Sequence, residues 1–176
     1  MDARELESKR LRGRVRLILG AFVVALVLSG ITAFPLVHEL RLLDHWLGEG
    51  TAWGARLPAL GRWISLVDRG LLETNAAYPF IQYGSDWLAF AHLVIATAFW
   101  GPWKDPVRNA WVIDFGMIAC ASIIPLAFIC GPIRGIPLYW SLIDCSFGVI
   151  GVIPLWLARR DVRRMSVLQP GLQKSI

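Results

Sequence analysis

Five ionisable side chains stand within or at the mouths of long apolar runs: Asp86, His92, Asp114, Arg134 and Asp144. Such a group at the centre of a membrane helix costs about 2.5–3.5 kcal/mol on insertion scales, so it needs a partner or a purpose. His92 lies seven residues after Ser85, and Asp144 seven after Pro137. At about 1.5 Å per residue both sit roughly 10 Å along their runs, at the same depth from the same side. If those two helices touch, Asp144 can accept a hydrogen bond from His92. The pair then either relays protons and orients a ligand or simply ties two helices together. Asp86 opens its run, where a helix dipole favours a carboxylate. Arg134 belongs at a similar level, and a carboxylate–guanidinium clamp between them is either a ligand site or a staple. Tyr78, Gln82 and Tyr83 lie just upstream, and Tyr83 joins the candidate ligand or proton site. Asp114 sits near the other end of its run, with Arg16 and Arg108 as candidate partners in a structural ion pair.

Other chemistries find little support. The remaining histidines, His38 and His45, lie near one surface while His92 is deeper, so bis-histidine haem ligation is poorly matched. Cys120, Cys130 and Cys145 are an odd, unclustered set inside or beside apolar runs and read as small buried hydrophobes. No C-x-x-C, H-E-x-x-H, Gly-rich phosphate loop or G-x-S-x-G occurs. The expectation is no metal, no cofactor and no identifiable catalytic residue.

The elements that must hold these groups are membrane helices. Hydrophobic residues make up 56% of the 176, beyond an ordinary soluble domain. Trp87, Trp100, Trp103, Trp111, Trp140 and Trp156 fall at the ends of apolar runs, where amphipathic indoles mark the bilayer surface. Four spans are expected, over about 15–36, 85–101, 106–131 and 137–158. The first follows basic residues but is longer than a signal-peptide core, so it reads as an uncleaved anchor. Ala21, Ala25, Ser29 and Ala33 recur every four residues along it, a stripe that lets a partner helix approach closely. Ser85 is the expected N-cap of the second span, and Asp105-Pro106 the expected start of the third. Pro125 and Pro154 should bend their helices. Gly148 and Gly151 thin one face of the fourth span for packing.

Residues 37–84 join the first two spans. Leu36, Leu40, Leu43 and Leu47 follow helical spacing, as do Leu57, Leu60, Ile64, Val67 and Leu71, with Arg62, Ser65, Asp68 and Arg69 opposite. Two amphipathic helices on the outer membrane face, separated by Gly48, Gly50 and Gly54, are expected. The fold class is therefore all-α: a four-span bundle over 15–158 with two outer amphipathic helices.

The net charge of +5 is concentrated in the basic segments 1–14 and 159–176. These clusters abut apolar runs and lack the aromatic interleaving of a single-strand nucleic-acid platform, so no nucleic-acid partner is expected. The positive-inside rule places both termini in the cytoplasm, as in a bacterial inner-membrane protein. Within these bounds the expected function is that of a non-enzymatic accessory or scaffold subunit of a membrane complex. Two alternatives stay open: a small transporter or proton-coupled carrier using Asp86, His92, Arg134 and Asp144, and a membrane enzyme acting on a lipid-type substrate with His92 as base.

Overall fold

The computed structural model describes residues 3–168. Within them the chain is helical and contains no strand. The helices are α1 (Ala3–Ala33), α2 (Leu36–Leu47), α3 (Ala52–Arg56), α4 (Pro58–Ala77), α5 (Tyr83–Ala98), α6 (Trp100–Lys104), α7 (Ala110–Ile133) and α8 (Leu138–Leu168), with a 3₁₀ turn over Pro79–Gln82. Three of them, α1, α7 and α8, are long and apolar enough to cross a membrane. Their apolar stretches are mostly unburied by protein: Phe115, Ile118, Ile129, Ile133, Phe147 and Ile150 are all exposed. Water would penalise so much contiguous apolar surface, whereas lipid is its matching solvent.

The second expected span is divided. α5 stops at Ala98, Phe99 is fully buried, and α6 begins at Trp100. Sixteen residues make α5 about 24 Å long, short of the roughly 30 Å hydrocarbon thickness. Its start also differs from expectation. The 3₁₀ turn feeds directly into α5 at Tyr83, so Ser85 lies inside the helix rather than capping it. The third span likewise begins at Ala110, not at Pro106. Asp105 and Asn109 hold a separate turn between the two helices. The Arg108 N–H donates to Asp105 Oδ1 (3.2 Å), and Asn109 Nδ2 donates to the carbonyls of Gly101 (3.2 Å) and Asp105 (3.0 Å). α1 and α8 extend beyond the expected spans, taking in Ala3–Arg14 at one end and Arg159–Leu168 at the other.

The chain divides into two compact units, one of Met1–Ala25 with Ala96–Ile176 and the other of Leu26–Ile95. The first is built on the antiparallel packing of α7 and α8. A Cβ on Gly148 would run into the Cys120 carbonyl oxygen, and one on Gly151 would lie 2.8 Å from Cys120 Sγ. A Cβ on Gly116 would meet Phe99 and Leu155 at 2.7 and 2.9 Å. Glycine at these positions lets the helices approach closely, as expected for Gly148 and Gly151; Gly116 adds a third such contact. Val15, Leu19, Ile113, Val162 and Met165 complete the core, and Phe22 packs on Phe99 with ring centroids 4.9 Å apart. Arg16 locks α1 to the end of α6, its guanidinium donating to the carbonyls of Trp103 (3.1 Å) and Lys104 (3.2 Å).

In the second unit, α2 packs on α4, and a turn around Gly48–Thr51 joins them through α3. Ser65 directs this join. Its Oγ accepts from the Glu49 N–H (2.9 Å) and donates to the Asp44 carboxylate. Thr51 caps α3 by accepting from the Gly54 N–H at 2.9 Å. Gly54 and Gly61 approach to within a Cβ's width. The buried face of α4 is therefore Gly61, Ile64, Ser65 and Asp68, while Leu57 is exposed. This corrects the expected stripe, in which Ser65 and Asp68 faced outward. Close glycine packing and the Ser65 relay rotate those polar residues into the contact.

Candidate functional site

The cavity nearest to expectation, mostly apolar in its lining, lies between the end of α7 and the start of α8. Gly131 leaves room there for Ser141, whose Oγ would sit 2.8 Å from a Cβ at that position. The chain then reverses through Gly135, whose φ of +68° suits glycine. The Ile136 N–H donates back to the Gly131 carbonyl (2.9 Å), and the Arg134 N–H donates to that of Cys130 (3.0 Å). This closure fixes Arg134 at the cap of α7. Asp144 follows the buried Ser141 by three residues, on the same face of α8.

Arg134, Ser141 and Asp144 line one cavity of about 270 Å³, with Ile123, Leu126 and Ala127 as its apolar wall. Among the described residues neither Arg134 nor Asp144 forms an ion pair. A guanidinium and a carboxylate thus face the same small space without neutralising each other directly. A space of that kind can hold water or a small polar solute between two opposite charges.

His92, Asp86 and Tyr83 belong to the other unit, on α5. His92 is half-buried, and its Nδ1–H donates to the Leu88 carbonyl at 2.8 Å. That bond assigns the Nδ1–H tautomer to the neutral ring and leaves Nε2 as an acceptor. Gly30 of α1 packs directly behind it, 3.1 Å from His92 Cβ to a Cβ built on the glycine. Asp86 stands in the first turn of α5, where the dipole favours its charge. Tyr83 is exposed and meets Trp87 edge-on at 5.9 Å. His38 and His45 are exposed on α2, and no group of three or more potential metal ligands occurs among the described residues.

The ion pair at Asp114 has a different partner from those expected. Arg159 Nε donates to Asp114 Oδ1 at 2.7 Å, tying α7 to α8. Arg16 is committed to α6, and Arg108 is exposed. Placement at the same end of the spans favoured Arg16, and proximity along the helix favoured Arg108, but the hairpin geometry brings in a residue 45 positions later. A further carboxylate, Asp161, is fully buried in α8. Arg14 of α1 reaches it at 3.4 Å and Arg160 at 3.7 Å. Its position inside a basic run read as flanking charge concealed it; the recurrence of Ala158, Asp161, Val162 and Met165 on one helical face is the signal that marks it as inward-facing.

No family model, curated protein or solved structure matches this chain.

Proposed function

We propose that this chain is a non-enzymatic accessory or scaffold subunit of the cytoplasmic membrane, held to a second membrane protein through α1. The reading is carried by the outward face of one stripe: Ala21, Ala25 and Ser29 are exposed along α1, while Val15 and Leu19 are buried. In lipid, helices associate by close van der Waals approach, and small residues permit it. A photo-crosslinking residue at Ala25 should give a discrete protein adduct in native membranes, lost when Ala21→Phe is added. Adducts to lipid alone would overturn the reading.

The same proposal takes α5, continued by α6, as a fourth crossing in a locally thinned bilayer. Both termini then lie in the cytoplasm with the basic ends, and α2 and α4 are amphipathic helices capping the outer face.

One observation favours a second reading, a small transporter or proton-coupled carrier: Arg134 and Asp144 open on a shared cavity. His92 and Asp86 are its further candidates. Uptake or proton flux in vesicles that is unchanged by Asp144→Asn and by His92→Ala would remove that reading.

A further inference from the structure

The basic end of α8 is not a uniformly charged tail. Ala158, Asp161, Val162 and Met165 are buried, which turns two neighbouring rows of the helix away from the core. One row is Trp156, Arg160 and Arg164, and the other is Arg159, Arg163 and Val167, each at four-residue spacing. These rows border an open cavity of about 580 Å³, lined also by Met117 of α7 and Glu7 of α1.

The cavity grades from apolar to cationic. Met117 and Trp156 supply its apolar wall, on the portions of α7 and α8 that are apolar enough to cross a membrane. The arginines follow Trp156 along α8. Arg159 is held by Asp114, and Arg160 stacks over the Trp156 ring at 5.5 Å. Among the described residues no carboxylate pairs with Arg163 or Arg164. Arg159 is offset by Asp114 and Arg160 by Asp161 at 3.7 Å, so the positive charge of the lining rests on Arg163 and Arg164, with Glu7 as its one acidic residue. Planar guanidinium forks match phosphate oxygens in a bidentate manner. Basic pockets of this kind beside membrane helices take the head groups of anionic lipids.

We propose that this cavity binds the phosphate of an anionic glycerophospholipid, with Arg163 and Arg164 on the phosphate and Met117 and Trp156 against the glycerol and upper acyl chain. A free phosphate offers the same anion but nothing for the apolar wall. The proposal does not depend on whether α1 has a protein partner.

The test uses the full chain in a non-ionic detergent, titrated with phosphatidylglycerol, phosphatidylcholine or inorganic phosphate, with bound species counted by native mass spectrometry. Phosphatidylglycerol should bind at one saturable site in clear preference to phosphatidylcholine, and millimolar inorganic phosphate should not displace it. From the usual contribution of a cation near an anionic lipid, Arg163→Gln or Arg164→Gln should weaken binding about 5-fold and the double variant about 30-fold. Arg4→Gln with Arg10→Gln removes the same charge from exposed positions on α1 outside the cavity and should change binding less than about 3-fold. Equal loss in both double variants would show diffuse attraction and overturn the site. Equal binding of phosphatidylcholine, or full displacement by inorganic phosphate, would overturn the lipid assignment without reference to any variant.

Discussion

Substituting Gly148 and Gly151 separates two kinds of contact within a single turn of α8. A Cβ on Gly148 meets the carbonyl oxygen of Cys120, which is backbone, and has Ile123 Cβ at 3.4 Å beside it. A Cβ on Gly151 meets the Cys120 thiol instead, at 2.8 Å. Overpacking a tight contact costs about 1–3 kcal/mol. Glycine to alanine in a helix returns about 1 kcal/mol of propensity, which offsets part of that cost in either substitution. Gly13 supplies the reference, because it lies within α1 with nothing within 4 Å of its Cβ position. Gly148→Ala should therefore be less stable than Gly13→Ala by about 1–3 kcal/mol. Adding Cys120→Ala removes the sulfur but leaves the carbonyl. It should relieve Gly151→Ala by about 1 kcal/mol and leave Gly148→Ala unrelieved. Titration of the detergent-solubilised protein with sodium dodecyl sulfate, followed by tryptophan fluorescence, measures each member of the cycle. Equal stability of Gly148→Ala and Gly13→Ala, or equal rescue of both glycine variants by Cys120→Ala, would refute this packing of α7 on α8.

Two further outcomes follow from the polar contacts. Ser65→Ala removes the acceptor of the Glu49 N–H and the donor to Asp44, which should cost about 1–3 kcal/mol and speed hydrogen exchange at Glu49; unchanged exchange there would contradict the relay. Arg14→Ala leaves Asp161 buried with only Arg160 nearby, whereas Asp161→Leu leaves two arginines that can reach solvent, so Arg14→Ala should be the more destabilising by about 2 kcal/mol in the same detergent titration, and the reverse order would contradict the burial of that carboxylate.

Some of this architecture is written in local sequence, and some is not. α7 and α8 are legible because a lipid-facing helix needs only length and apolar composition, and both run unbroken through Pro125 and Pro154. Gly148 and Gly151 show their packing role by spacing alone. The break after Ala98 has no such signal, since Phe99 ends α5 by burying itself in the core before any proline occurs. Asp105-Pro106 resembles a helix start, yet Asn109 commits its amide to two carbonyls and delays α7 to Ala110. The polar residues carry the weakest local signal of their positions. Ser65, Asp68 and Asp161 are buried through tertiary contacts that hydropathy cannot foresee, and Arg159 finds Asp114 only because the α7–α8 hairpin brings them together. Of the candidate ligand residues, Arg134 and Asp144 share a cavity because the Gly131–Ser141 contact and the Gly135 turn close the hairpin between them.

The proposed topology rests on α5 and α6 serving together as a crossing beside α1, α7 and α8. Accessibility tags fused to the two ends of the chain, probed in sealed right-side-out and inverted vesicles, read this directly. Four crossings predict that both tags react only in inverted vesicles. Tags reacting from opposite sides would mean that α1, α7 and α8 alone cross, and would contradict the shared cytoplasmic placement of the basic ends.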